Sequence, residues 1–338
     1  MSVNGRKKHR PAKIPFSPPE AQPQRNELPD ISTNSDMVIN GERVSVDSSK
    51  IVFCEPIGRG RYGEVFRARL PQYSRDIAIK QTKYIDSETT RKNTRREVEN
   101  LTKCESEFLV TCYGILYHDG FILFCLELMD CSLYDLIVNA KKKLFYANAF
   151  DEKFIARTAF AITSGLNYLK EKLDVMHRDV KPQNTLISRD GNIKLCDFGI
   201  SVVLNNSMAQ TKIGHDMYMA PERISSNENS PYSWKADIWS LGITLVELSE
   251  GKFPYSNPTQ QFDLMLQIIE KPSPSLSRTK FSDDLCDFVT DCLEKEPEKR
   301  PKYSELLTSS LNVRGANVTV EWASEFVKRI LDTEVAAL

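Results

Sequence analysis

The sequence predicts an α+β chain of two lobes: a small antiparallel β-sheet lobe with one helix, and a larger helical lobe. Three observations lead there. From Ile51 to Met129, short apolar runs alternate with turns, and a single charged segment, 87–103, interrupts them. Beyond Met129 the apolar period becomes helical, as at Ile155, Ala159, Ile162, Leu166 and Leu169. Paired carboxylates, a lysine and a carboxamide then crowd into 177–199. A site is therefore expected in the cleft between the lobes.

The elements follow in order. Residues 1–48 are polar and proline-rich without a sustained period, and are expected to be a disordered tail. Strands are expected at 51–57, 64–70, 76–81, 109–117 and 121–128, with His118-Asp119-Gly120 as a tight turn before the last. The charged segment 87–103 reads as the small lobe's helix. The small lobe thus covers 51–128 and the large lobe 129–311, with helices at 155–169, 238–248, 260–269 and 283–293. A helical extension, 312–338, carries an amphipathic stripe of Trp322, Phe326, Val327, Ile330 and Leu331.

Bulk properties narrow the function. The 338 residues allow one large or two modest domains with a substantial core. A net charge of −1 offers no global field for nucleic acid or a membrane surface, and no apolar stretch approaches a membrane span. The eight cysteines lack metal-ligand spacing and suit a reducing compartment. With no hydrophobic signal region at its start and Ser2 ruling out myristoylation, the protein is expected in the cytoplasm, with the nucleus as a second compartment.

The chemistry centres on His177-Arg178-Asp179-Val180-Lys181-Pro182-Gln183-Asn184 and, after a short hairpin, Asp197-Phe198-Gly199. Phosphoryl transfer needs a group to orient the attacking hydroxyl, ligands for Mg²⁺, and a cation to offset charge on the moving group. Asp179, the pair Asn184 and Asp197, and Lys181 suit those roles in that order. Arg189-Asp190-Gly191-Asn192 is turn chemistry, so the chain folds back and brings Asn184 beside Asp197. The alternative is a surface hairpin with scattered charges, which the complete set at this spacing disfavours. These residues resemble the catalytic and magnesium loops of eukaryotic protein kinases. Lysine two residues after the aspartate resembles the serine/threonine-type loop. The resemblance implies the two-lobed protein kinase fold over 51–311, with ATP and Mg²⁺ in the cleft.

At the other end of that cleft, Gly58-Arg59-Gly60-Arg61-Tyr62-Gly63-Glu64-Val65, entered through Ile57, lies between two predicted strands. Its glycines permit close backbone approach to phosphates. A dinucleotide site would open a helix here, but Val65-Phe66 continues as a strand, which favours a phosphate-covering hairpin. Alternation puts Ala78 and Lys80 on one face, Ala78 for an adenine ring and Lys80 for the α- and β-phosphates. A buried lysine needs a counter-charge. Glu97, on a stripe with Val98 and Leu101, is the proposed partner, with Glu99 as its rival. By resemblance to the kinase hinge, backbone groups of Glu127 and Met129 read the adenine edge and Leu126 is the gatekeeper. Cys196 is the one thiol expected to line the cleft, against a reading as an inert buried thiol.

The irregular stretch from Asp197 to Glu222 is long enough to be functional. Phosphorylation of Ser207 and Thr211 would add charge for Arg178 to pair, ordering the segment before Ala220-Pro221-Glu222. By resemblance, Glu222 pairs with a buried Arg300 and Asp237 braces the catalytic-loop backbone. Glu127-Leu128-Met129-Asp130, 194–201, the Ser207/Thr211 spacing and 218–224 are similar to the MAP kinase kinases, which implies dual specificity. Arg6, Lys7, Lys8 and Arg10 precede Ile14 and Phe16, resembling that family's docking segment for a downstream MAP kinase; a nuclear-localisation or nucleic-acid arm is the alternative. The C-terminal stripe resembles the docking helix read by upstream kinases, and packing on the large lobe is its equal alternative. The absence of a long proline-rich insert, together with 242–244, 251–255 and 272–275, resembles the stress-activated branch. Two departures bear on substrate fit: 211–214 is one residue short, and His215 replaces a small residue. A non-catalytic signalling scaffold and a kinase of another tier are the rival readings.

Overall fold

The computed structural model describes residues 31–39, 41–60, 63–83, 101, 104–144, 150–198, 216–225, 233–255 and 261–333. These form the two-lobed α+β plan. The small lobe is a five-stranded antiparallel sheet of order β3-β4-β5-β7-β6, built from β3 (Val52–Gly60), β4 (Gly63–Leu70), β5 (Arg75–Lys83), β6 (Cys112–His118) and β7 (Phe121–Leu126). The β6–β7 turn is as tight as expected: Asp119 and Gly120 take φ of 46° and 83°, and His118 pairs with Phe121. Of the expected helix at 87–103, only Leu101 is described; it is helical and buried.

One expectation needs correction. The disordered tail was drawn to residue 48, but β1 (Asn34–Ile39) and β2 (Glu42–Asp47) form an antiparallel hairpin. Its inward residues Met37, Ile39, Val44 and Val46 are at most 3% exposed. They cover the sheet's outer face in one cluster with Ile77, Ile79, Leu116, Leu123 and Cys125. Met37 lies over Gly114, where any β-carbon would stand 2.9 Å from its side chain. Tyr73 fastens the edge, its hydroxyl bonding to both the N–H and the carbonyl of Ser45 at 3.0 Å.

Four such side chains contribute roughly 1.5–3 kcal/mol each on burial, a large share of a typical domain stability. A chain starting at residue 51 is therefore expected to melt at least about 10 °C below one starting at 31, and to bind a hydrophobic dye through its uncovered sheet. Equal melting temperatures in differential scanning fluorimetry would show that the hairpin stabilises nothing.

The large lobe is helical. Helices α1 (Leu133–Leu144) and α2 (Glu152–Leu173) follow the two-residue β8 (Cys131–Ser132). Asp151 caps α2 by accepting the Lys153 N–H. Its predicted stripe of Ile155, Ala159, Ile162, Leu166 and Leu169 is buried. Gly165 lets the helix approach the chain at Phe108, where a β-carbon would stand 3.1 Å from the carbonyl oxygen. After β9 (Thr185–Ile187), β10 (Ile193–Leu195) and the short α3 (Pro221–Ser225) comes α4 (Lys235–Glu250), buried on almost every side as expected of a core helix. Helices α5 (Gln261–Glu270), α6 (Asp283–Cys292), α7 (Tyr303–Leu307), α8 (Ser310–Ala316) and α9 (Val320–Asp332) complete it.

The boundary expected at 311 falls inside α8. Gly315 brings that helix onto α2, where a β-carbon would stand 2.1 Å from the Ala156 carbonyl oxygen. The apolar stripe of α9 is packed: Phe326 stacks on Phe154 with ring centres 4.7 Å apart, and Ala323, Val327 and Ile330 are fully enclosed. Packing on the large lobe, one of the two compatible readings of that stripe, is realised. Glu321, Glu325, Lys328 and Arg329 form the outward face.

Candidate active site

The site sits where β5, the 177–184 loop and the β9–β10 hairpin meet. The ladder pairs Ala78 with Leu126 and Lys80 with Phe124, and both Ala78 and Lys80 are buried. Lys80, 1% exposed, places its Nζ 2.9 Å from Asp197 Oδ1. Burial pushes the Asp197 carboxyl up, but Lys80 outweighs it and holds the group below the usual carboxylate range. Glu97 lies outside the described residues, so the described partner of Lys80 is Asp197.

The hairpin does what its turn residues implied. Cys196 N–H donates to the Asn184 carbonyl at 2.9 Å, closing the open end and setting Asn184 beside Asp197. Asn184 Nδ2 donates to the Asp179 carbonyl at 2.8 Å and to Asp179 Oδ2 at 2.7 Å. That commitment leaves Asn184 Oδ1 as the atom able to meet a cation. Lys181 Nζ bridges both Asp179 carboxylate oxygens, at 2.9 and 2.7 Å.

The loop is held from beneath by α4. Asp237, fully buried, accepts the His177 N–H at 2.9 Å and the Arg178 N–H at 2.8 Å. Arg178 and Asp197 take φ of 67° and 64°, left-handed backbone that bulky residues avoid unless their surroundings impose it. His177 is fully buried, and burial holds its imidazole below its ordinary pKa against the pull of Asp179 and Asp197. Glu222 meets Arg300 through two bonds, Nη1 to Oε1 at 2.7 Å and Nη2 to Oε2 at 2.8 Å. Both pairings implied by the resemblance are thus present.

At the nucleotide end, Gly60 pairs with Gly63 across the turn, and Arg61 and Tyr62 lie outside the described residues. Gly63 is required by a neighbour: a β-carbon there would stand 1.9 Å from the Gln81 carbonyl oxygen on β5. Gly58 meets nothing closer than Val65 at 3.7 Å. Arg59 and Glu64 face each other at 3.5 Å across the strands, and Ile57 is exposed. The Glu127 carboxylate takes the Lys194 ammonium at 2.7 Å and the Thr111 N–H at 3.1 Å, anchoring the segment after Leu126 to β10. Among the described residues, the Glu127 carbonyl and the Met129 N–H enter no backbone hydrogen bond.

A second buried pair went unforeseen. Tyr218 Oη donates to Glu247 Oε2 at 2.5 Å, and Ser240 Oγ donates to the Tyr218 carbonyl at 2.8 Å. Burial pushes the Glu247 carboxyl up, Tyr218 pulling it back. The available signal was that Glu247 is the lone carboxylate within the apolar run 238–248. Burial pushes the Cys196 thiol well up, with Asp197 adding to the effect, which favours the thiol over the thiolate. Ser207, Thr211, His215 and the docking residues from Arg6 to Phe16 lie outside the described residues.

A small antiparallel sheet whose buried lysine reaches Asp197, above a helical lobe presenting Asp179, Lys181 and Asn184, is the arrangement of a protein kinase, and residues 51–311 match the protein kinase domain family. The chain is 37% identical over 295 residues to the dual specificity mitogen-activated protein kinase kinase sek-1 of Caenorhabditis elegans, covering 86% of this chain and 87% of that one. It is 35% identical over 303 residues to dual specificity mitogen-activated protein kinase kinase 7 of Homo sapiens, covering 88% and 71%. Similarity to MAP kinase kinase PBS2 of Saccharomyces cerevisiae is 36% over 296 residues, 86% of this chain but 44% of that protein. The chain belongs to the MAP kinase kinase family of protein kinases. As a protein kinase it uses ATP with a divalent metal ion.

Proposed function

We propose that the chain is a dual-specificity MAP kinase kinase of a stress-activated cascade, phosphorylating a threonine and a tyrosine in the activation loop of a MAP kinase. The observation that carries this reading is the contact set of Asp179, Lys181 and Asn184 beside the Lys80–Asp197 pair, in a chain of this family. The donor set fits Mg·ATP. Among the described residues no group of three or more His, Cys, Asp or Glu is placed to hold an ion. One carboxylate and one carboxamide oxygen suit a hard cation whose other ligands come from phosphate and water.

Mg·ATP supplies the transferable phosphoryl group and the charge that offsets its oxygens. Lys80 holds the α- and β-phosphates, under the turn from Ile57 to Val65. Ala78 and Leu126 flank the base, whose edge meets the Glu127 carbonyl and the Met129 N–H. Asn184 Oδ1 and the Asp197 carboxylate hold the cation. Asp179 orients the attacking hydroxyl and accepts its proton, and Lys181 balances charge beside it.

Phosphorylation of Ser207 and Thr211, paired by Arg178, switches the site on, with Glu97 completing the Lys80 contacts. Residues 6–16 dock the downstream MAP kinase, and the outward face of α9 meets the upstream kinase. The protein acts in the cytoplasm and also in the nucleus.

The test uses the full chain carrying Ser207→Asp and Thr211→Asp, with a catalytically inactive stress-activated MAP kinase as substrate. Phosphothreonine and phosphotyrosine should both form, as read by mass spectrometry. Deleting 6–16 should lower kcat/KM for the MAP kinase and leave KM for ATP unchanged. Transfer only to serine and threonine of generic substrates would overturn the reading.

A further inference from the structure

The closed end of the β9–β10 hairpin is held by residues remote in sequence. The Arg189 N–H donates to Asp130 Oδ2 at 2.7 Å, and the Arg189 carbonyl accepts Ser324 Oγ from α9 at 2.7 Å. Its guanidinium meets Asp332 Oδ1, also at 2.7 Å. Asp130 directly follows Met129, and its own N–H donates to the Ile187 carbonyl at 3.1 Å. One residue therefore ties together the chain leaving the hinge, the hairpin turn and the last helix.

Gly191 makes the contact closer still. It takes φ of 87°, and a β-carbon there would stand 2.2 Å from the Val320 carbonyl oxygen and 2.6 Å from the Ser324 nitrogen. Both are α9 backbone atoms, so no side chain is compatible with this packing. The Arg189–Asp332 ion pair is about half exposed on each side, where such pairs contribute little. The weight rests on Ser324 and on the backbone contact at Gly191.

The strands between are only three residues each, and a hairpin that short depends on its surroundings for its register: β9 pairs with β8, β10 bridges to Leu109, and α9 holds the turn. The open end, where Asn184 and Asp197 stand, has its own bonds, from Cys196 N–H to the Asn184 carbonyl and between Leu195 and the chain at Phe108 and Val110. The clamp at the turn adds to them from the other end. We propose that α9, outside the matched kinase domain, is a positioning element of the phosphoryl-transfer site, with Ser324 as a positioning residue that steadies the hairpin carrying Asn184 and Asp197. The inference rests on the reading of those two residues as the cation's ligands.

The experiment compares Ser324→Ala, Ser324→Thr and Asn184→Ala in the full chain. Its readouts are the Mg²⁺ concentration for half-maximal rate at saturating ATP, and hydrogen exchange across 184–197 without nucleotide. Losing a direct hydrogen-bond partner of a metal ligand typically costs 10–100-fold in affinity or activity, and Ser324 acts one step further out, which places it at the bottom of that range. Ser324→Ala should accordingly raise the Mg²⁺ requirement about tenfold and speed exchange across 184–197, and Ser324→Thr should restore both. A Ser324→Ala protein with a lower melting temperature but unchanged Mg²⁺ requirement and exchange would overturn the proposal. If Asn184→Ala leaves the Mg²⁺ requirement unmoved, the ligand reading fails and the cation part of the proposal falls with it. Hydrogen exchange then decides the positioning part alone.

Discussion

Asp179→Asn is expected to lower kcat for MAP kinase phosphorylation by about 10²–10⁴-fold, the range that a positioned general base supplies. Lys181 Nζ contacts both carboxylate oxygens of Asp179. The amide keeps one oxygen to accept from that ammonium, so the loop retains its shape. What it loses is the capacity to take a proton from the attacking hydroxyl. Because the substitution leaves the Lys80–Asp197 pair in place, KM for ATP should stay within about twofold and the melting temperature should barely move. Steady-state kinetics with a MAP kinase substrate separate these quantities. A variant with undiminished kcat would remove Asp179 from the chemistry.

Asp237→Ala should be the most damaging single change to the fold around the site. The carboxylate is fully buried and accepts two backbone N–H groups, those of His177 and Arg178. Stranding two buried donors costs about 1–3 kcal/mol each, against a total stability of roughly 5–15 kcal/mol for a typical domain. The left-handed conformation of Arg178 loses its restraint as well, so the loop relaxes and Asp179 moves with it. Chemical denaturation should register a loss of about 2–6 kcal/mol, and kcat should fall even where the protein stays folded. Asp237→Asn, with one acceptor and an amide that opposes the second N–H, should lie between. Full stability in Asp237→Ala would show that another group satisfies those donors.

Much of this site was legible because its chemistry is local. The 177–184 loop, the turn at 189–192 and the alternation of Ala78 and Lys80 each depend on neighbours a few residues away. The contacts that were not legible join distant segments. Glu127 was read for its backbone, yet its carboxylate is spent on Lys194, 67 residues on. Arg189 and Asp332 are 143 residues apart, and no spacing rule connects them. Glu247 was hidden because a helix predicted from its apolar period says nothing of which turn faces Tyr218. The β1–β2 hairpin is a different failure. Met37, Ile39, Val44 and Val46 alternate around Asn40-Gly41, a strong hairpin signal, and Gly41 takes the φ of 83° such a turn uses. The polar composition of the surrounding tail outweighed a pattern that was present.

The packing of Phe326 against Phe154 bears on where the folded unit of this chain ends. Sequence similarity to the protein kinase domain ends at residue 311, yet the aromatic stack that follows belongs to the same hydrophobic core as α2 and α4. The segment defined by shared motifs is therefore shorter than the segment that folds. A chimaera joined at that boundary would inherit every reacting group and leave behind part of the scaffold that keeps them in register. In this protein, the domain recognised by motif and the unit that folds have different end points.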